Sequence, residues 1–126
     1  MELTGRKPIL CLDFDGVCHS YTSGWKGAAV IPDPPVPGLF AFLSEASQVF
    51  EVNIFSSRSG QAGGVMAMMK WFVAHAPEDF NVTLLKFPDE KPPAFVGIDD
   101  RVLTFQGEWP SVASLQAFKT WNAKEV

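Results

Sequence analysis

The chain has 126 residues, 47% of them hydrophobic and 19% charged, with a formal net charge of -4 at pH 7. This length fits a single domain, residues 1–126, and the composition excludes a disordered or fibrous protein. The acidic balance argues against sequence-independent nucleic-acid binding, which relies on basic patches, but it does not exclude a nucleotide or a strand end as a ligand.

Targeting signals and cysteine content predict a cytoplasmic protein. The first residues, MELTGRK, are polar and lack the apolar stretch of a signal peptide. No run approaches the roughly 18 apolar residues that span a membrane. The two cysteines, Cys11 and Cys18, favour the reducing cytosol. Cys18 and His19 could be half of a zinc site, but no second pair has ligand spacing, so zinc is not predicted.

Short apolar runs predict the strands, in chain order, at 8–14, 49–57, 81–87 and 94–100. The first run is apolar without alternation, which is typical of a strand buried on both faces of a parallel sheet. The second and third runs are rich in β-branched and aromatic residues. A fifth run, 102–105, predicts an edge strand.

Helical stretches lie between these runs, at 39–47, 63–76 and 111–123. The stretch 63–76 is apolar on nearly every side, which indicates burial in the core or in a homodimer interface. Strands that alternate with helices predict an α/β fold. We expect a three-layer, Rossmann-like parallel sheet of about five strands with helices on both faces.

The long segment 18–38 is irregular and dense in Gly and Pro. It directly follows the first predicted strand, and loops of this length are more often functional than idle. Tyr21, Trp25 and Lys26 are candidates to line a substrate entrance. The alternative is a solvated loop with Trp25 packed down.

Carboxylates and hydroxyls collect at the predicted carboxyl ends of the strands, where parallel sheets bind ligands. Asp13 and Asp15 end the first strand on one side of it, and Gly16 lets the backbone turn away. Four aspartates at one edge repel one another unless a cation is present, and carboxylate oxygens suit Mg²⁺. Ser and Lys beside such a metal can hold a phosphoryl group. The other polar residues at these ends are Ser56, Ser57, Arg58, Lys91, Asp99 and Asp100.

These residues resemble the motifs of one enzyme family. The run 13–17, DFDGV, resembles the DxDG(T/V) first motif of the haloacid dehalogenase-like (HAD) phosphatases. The run that ends in Ser56 is similar to the second motif, Lys91 to the third-motif lysine, and 98–100 to the acidic fourth motif. The stretch 91–110 is also similar to small HAD-like proteins of bacteria and phages. Proteins of this family insert cap domains after the first strand and after the second or third strand. Here those places hold only the loop 18–38 and short connections, so the resemblance implies a HAD-like fold with no large cap domain.

The resemblance implies a Mg²⁺-dependent phosphomonoesterase that works through an aspartyl-phosphate. Asp13 would attack phosphorus. Asp15 would protonate the leaving oxygen and then take a proton from water. Ser56 and Lys91 would bind the phosphoryl group. The implied Mg²⁺ ligands are Asp13, the backbone carbonyl of Asp15, Asp99, and Asp100 directly or through water.

Some assignments stay open at this point. Ser57 is an alternative to Ser56, although an Arg two positions after the hydroxyl, as Arg58 is after Ser56, follows the family pattern. Lys86 is an alternative to Lys91. Arg58 itself can either pair with a carboxylate or contact the substrate.

Two other function classes are compatible with the sequence. One is a HAD-like protein that binds a phosphorylated ligand without turnover. The other is a receiver-type phosphoacceptor domain, whose acceptor aspartate would end a middle strand where this chain has Ser56. For the enzyme, the expected partner is a phosphorylated metabolite, a nucleotide or a nucleic-acid end, because a site without a cap is open to large substrates.

Overall fold

The computed structural model describes residues 6–123. Its sheet has three parallel strands in the order β2-β1-β3, with β1 at Ile9–Leu12, β2 at Glu51–Ile54 and β3 at Val96–Ile98. The helices are α1 at Leu39–Val49, α2 at Gly64–His75 and α3 at Val112–Gln116. Within the described residues, none of the helices has the length and apolar character that would let it span a membrane.

The central strand β1 buries one face. Leu10 and Leu12 pair with Val52 and Ile54 of β2, and all four side chains are almost fully buried. Paired residues of parallel strands point to the same side, so these residues form a continuous apolar face. Cys11, which points to the other side, is only partly buried. The expectation that the first strand is buried on both faces is therefore wrong.

Helices α1 and α2 cover the apolar face, and aromatic rings join the two helices to the sheet. The Phe72 ring lies 5.8 Å from the Phe14 ring, 6.2 Å from that of Phe40 and 5.7 Å from that of Phe87. Such edge and tilted ring contacts add to the energy of burial itself. The other buried apolar side chains of the two helices are Leu39, Leu43, Ala46, Met68 and Trp71.

The predicted three-layer sheet of about five strands is wrong. Residues 6–123 contain three strands, and their buried apolar residues form one core cluster on one face of β1 and β2. The molecule is a small α/β fold, and the Rossmann-like expectation fails because two predicted strands do not form.

The third predicted strand, 81–87, contains a 3-10 turn at Val82–Leu84. The Asn81 side chain accepts a hydrogen bond from the Thr83 N–H at 3.0 Å, and this local bond competes with strand formation. Only Lys86 reaches the free edge of β2, where its backbone makes two hydrogen bonds of 2.8 and 3.0 Å. The run therefore contributes a single bridge to the sheet.

The fifth predicted strand, 102–105, is irregular, and the last predicted helix, 111–123, shrinks to the five residues of α3. The Asp99 carboxylate accepts a hydrogen bond from the Arg101 N–H at 2.9 Å, which turns the chain directly after β3. Val112 of α3 is 71% exposed. A helix that buries no apolar face gains little stability from packing, so it stays short.

The core position of Phe72 leads to a stability prediction. Phe72 is 1% exposed, whereas its neighbour Val73 on the same helix is 64% exposed. We expect Phe72→Ala to lower the free energy of unfolding by about 3–5 kcal/mol, because it leaves a cavity among the rings of Phe14, Phe40, Trp71 and Phe87. Val73→Ala is the matched control, with a change below about 0.5 kcal/mol. Denaturant unfolding measures both, and equal effects would contradict this packing.

Candidate functional site

Three carboxylates meet where the neighbouring strands β1 and β3 end. Asp13 follows β1, and its N–H donates to the carbonyl of Ile98 at 3.0 Å, so the ladder between the two strands continues to this point. Asp99 and Asp100 come directly after β3. Carboxylate oxygens of Asp13, Asp99 and Asp100 lie within 4.8 Å of one another. We call this group the acidic cluster.

Gly16 gives Asp100 the space to reach the acidic cluster. Its φ of 82° lies in the left-handed region, which favours glycine. A Cβ atom at Gly16 would overlap the Asp100 carboxylate. Any side chain at this position would therefore strain the turn and push Asp100 away from Asp13.

The acidic cluster fits a hard divalent cation. Its three ligand groups are all carboxylates, the donors that Mg²⁺ prefers. Burial, followed by the charges of Asp99 and Asp100, raises the pKa of Asp13 to about 8, although the Phe14 N–H donates to its carboxylate at 2.8 Å. In the absence of a cation, this high pKa reflects first the burial of Asp13 and then the repulsion inside the cluster.

The Asp15 side chain is outside the acidic cluster and pairs with Arg58. The Arg58 Nε donates to one carboxylate oxygen at 2.9 Å, and Nη2 donates to the other at 3.1 Å. The Nδ1 of His19 lies 2.9 Å from the second oxygen. Burial opposes ionisation of Asp15, but the hydrogen bonds from His19 and Arg58 outweigh it and lower the pKa of Asp15.

His19 is fully buried and links Asp15 to the loop 18–38. The Asp33 N–H donates to the His19 Nε2 at 3.0 Å. Because Nε2 accepts this bond, we assign the ring hydrogen to Nδ1, which donates to Asp15. The Trp71 indole N–H donates to the Asp33 carbonyl at 3.0 Å and so fixes the loop to α2.

Arg58 holds the loop over the site. Its side chain is 0% exposed, and its guanidinium lies 4.7 Å from the centre of the Trp25 ring. A Cβ atom at Gly64 would overlap the Arg58 carbonyl, so the start of α2 packs directly on the Arg58 backbone. The Arg58 Nη1 also donates to three loop carbonyls, those of Gly27, Ala28 and Val30, at 2.8, 2.9 and 3.2 Å.

Both candidate hydroxyls border the cavity that contains the acidic cluster, which has a volume of about 530 Å³. Ser56 is buried, and its Oγ accepts a hydrogen bond from the Arg58 N–H at 3.1 Å, which leaves the hydroxyl hydrogen free to donate to a ligand. Ser57 is exposed. The geometry gives each serine access to the cavity. The cavity is also lined by Asp15, Tyr21, Trp25, Arg101 and Val102.

The two candidate lysines lie at different places. Lys91 lines a second cavity, of about 820 Å³, which also borders Asp13. Lys86 lines a cavity next to Ile9 and Glu51, the first residues of β1 and β2. The Lys86 backbone pairs with β2 at Asn53, and its side chain lies towards the amino ends of the strands, away from the acidic cluster. Within residues 6–123, no ion pair joins Lys91 to Asp13.

Sequence reasoning missed the roles of His19 and Asp33. From the sequence, His19 is a candidate only as half of a zinc site, whereas the structure places it between Asp15 and the Asp33 backbone. The spacing of four residues between Asp15 and His19 was the one available signal. Nothing in the sequence relates Asp33 to either residue.

Comparisons with known proteins add no relative to this picture: the chain matches no protein-family model, no curated protein and no solved structure. The resemblance to HAD phosphatases therefore depends on the motif residues themselves. Their positions in the structure are the observations from which a function can be proposed.

The raised pKa of Asp13 leads to a prediction for the metal-free protein. The folded state binds this proton more tightly than the unfolded state, whose carboxyl has its ordinary pKa of 3.8. The contribution to stability is therefore full below pH 3.8 and is lost as the pH rises through about 8. We expect unfolding free energies measured in chelator to fall across this window. Asp13→Asn should flatten the fall, and an unchanged slope would contradict the assignment.

Proposed function

We propose that the chain is a Mg²⁺-dependent phosphomonoesterase that acts through an aspartyl-phosphate, similar to the HAD phosphatases. The observation that carries the proposal is that Asp13 shares one cavity with Asp99, Asp100 and the hydroxyls of Ser56 and Ser57. A nucleophilic carboxylate beside metal ligands and phosphate donors is the set of groups that this reaction needs.

Asp13, Asp99 and Asp100 would hold the metal, with the backbone carbonyl of Asp15 as a further ligand. When bound, Mg²⁺ supplies positive charge that offsets the repulsion among these carboxylates and the charge of a phosphoryl group. The free cysteines Cys11 and Cys18 are consistent with the cytoplasmic location that we propose for the enzyme.

The protein side chains then have defined tasks. A carboxylate oxygen of Asp13 forms a bond to phosphorus as the bond from phosphorus to the leaving oxygen breaks, and water later hydrolyses the acyl phosphate. The Phe14 N–H fixes the orientation of the Asp13 carboxylate through its hydrogen bond of 2.8 Å. The Ser56 hydroxyl donates to a phosphoryl oxygen, with Ser57 as the alternative donor. Lys91 offsets negative charge from the neighbouring cavity.

The environment of Asp15 favours the general-base role over the general-acid role. Arg58 and His19 donate to both of its oxygens and hold it as a carboxylate. A carboxylate is ready to take a proton from the attacking water, whereas a general acid must first gain one. The same contacts favour a second candidate function, a protein that binds a phosphorylated ligand without turnover.

Metal dependence is the first test of the proposed function. We expect chelator to abolish phosphate release from a nitrophenyl phosphate and Mg²⁺ to restore it. Asp99→Asn should weaken Mg²⁺ binding, measured by calorimetry, because it removes one charge from the cluster while the amide oxygen can still accept the bond from Arg101. Glu108→Gln is the control, since Glu108 is exposed and outside the cluster. Full activity in chelator would contradict the metal site.

The role of Asp15 can be separated with two substrates. We expect Asp15→Asn to keep Mg²⁺ binding but to slow turnover by roughly 10²–10⁴-fold, as for a lost general acid or base. A base role predicts equal losses for an alkyl phosphate and a nitrophenyl phosphate. An acid role predicts a smaller loss for the second substrate, whose leaving group needs no proton. The buried Arg58 loses its counter-charge, so the assay is run well below the unfolding temperature. Unchanged turnover of both substrates would exclude both roles.

A further inference from the structure

We propose that Trp25 and Tyr21 form an aromatic rim that binds a nucleobase, so that the site selects phosphate monoesters of nucleosides, as free nucleotides or as nucleic-acid ends. The turnover of such substrates depends on the proposed function. The binding preference depends only on the cavity and can be measured without turnover.

Trp25 is a fixed platform at the cavity that contains Asp13 and the two serines. The Arg58 guanidinium lies 4.7 Å from its ring centre and covers one ring face, while the residue keeps 45% of its surface exposed. The bonds from Arg58 to the carbonyls of Gly27 and Ala28 fix the chain next to it. One face of the indole is therefore covered by Arg58, and the exposed part of the ring is available to a ligand.

Tyr21 borders the same cavity in a strained conformation. Its φ is 61°, and within residues 6–123 it is the only non-glycine residue with a positive φ. An L-residue with a large side chain rarely adopts this conformation, and such strain is concentrated at functional sites. The ring packs edge-on against His19 at 5.9 Å between centroids, which holds it beside Asp15 and Trp25.

The charge and size of the cavity favour a nucleoside over other groups. Its four aspartates and the net charge of -4 oppose contacts along a phosphate backbone, so any affinity beyond that of the terminal phosphoryl group has to come from the base. Aromatic side chains bind bases in this way without reading their sequence. A volume of about 530 Å³ suits one nucleotide. Trp25 and Asp13 line the same cavity, so one ligand can contact both.

The test uses the Asp13→Asn protein with Mg²⁺. This variant lacks the nucleophile, so it does not hydrolyse the phosphate esters whose binding is measured. Calorimetry compares adenosine 5′-monophosphate with ribose 5-phosphate, which has the same phosphate and sugar but no base. We expect the nucleotide to bind roughly 5- to 150-fold more tightly, the range expected for one stacked base. Equal affinities would overturn the proposal. Short oligonucleotides with a 5′- or 3′-phosphate, compared with the mononucleotide, distinguish a strand end from a free nucleotide.

Variants in the Asp13→Asn background assign the preference to the rim. Trp25→Ala should remove most of the preference for the nucleotide, and Trp25→Phe should restore part of it. Trp109→Ala is the matched control, because Trp109 is 86% exposed and is not among the residues that line the cavity. Tyr21→Asn should weaken nucleotide binding without lowering the melting temperature, since Asn tolerates a positive φ. A preference that survives Trp25→Ala in a folded protein would overturn the proposal.

The outcomes also separate this inference from the proposed function. If the wild-type protein releases no phosphate from any ester but binds the nucleotide through Trp25, the phosphomonoesterase proposal is wrong and the proposal of an aromatic rim is supported. If glycerol phosphate and adenosine 5′-monophosphate are hydrolysed with equal kcat/KM and bind equally, the enzyme proposal holds and the rim is overturned.

Discussion

The ion pair between Arg58 and Asp15 holds together the parts of the molecule that surround the site. A guanidinium that is 0% exposed contacts both oxygens of Asp15, three carbonyls of the loop 18–38 and the ring of Trp25. Breaking a buried pair of this kind costs about 3–5 kcal/mol, because the remaining charge loses its partner. The position of the loop and the shape of the cavity therefore both depend on one side chain from the segment after β2.

The same ion pair gives Asp15 a pKa shift opposite to that of Asp13, which is only two positions away in the chain. Asp13 faces Asp99 and Asp100, and its pKa is raised to about 8, whereas Asp15 faces Arg58 and His19 and its pKa is lowered. A pair of acids in opposite environments is a common basis for a division of catalytic roles. In the metal-free protein the pKa shifts are the reverse of those that the proposed HAD-like mechanism requires. A cation at the acidic cluster would lower the pKa of Asp13, but it would leave the partners of Asp15 in place.

Sequence alone was sufficient to predict that Asp13 and Asp99 lie close together, because that depends on strand ends. Asp13 and Asp99 follow apolar runs that do form paired strands, and parallel pairing brings the ends together. Sequence was not sufficient where a local bond or a distant partner decided the structure. In the run 81–87, the hydrogen bond to the Asn81 side chain favours a 3-10 turn over a strand. Arg58 pairs with Asp15, which is 43 residues away in the chain. β-Propensity depends on residue type and does not take account of a specific side-chain hydrogen bond or a distant partner. The composition of the runs therefore predicts neither outcome.

The small sheet offers little packing to hold the acidic cluster together against its own charge repulsion. Asp13 follows the central strand, whereas Asp99 and Asp100 follow β3. Within residues 6–123, β3 has three residues and pairs only with β1, and its last residue, Ile98, is 42% exposed. Little burial therefore opposes the repulsion that pushes the end of β3 away from β1 when all three carboxylates are ionised. A cation bound between them would reverse this force, and binding to the folded state alone would add to its stability. In this fold a cation at the acidic cluster would thus hold the ends of β1 and β3 together at the same time as it completes the proposed reaction site.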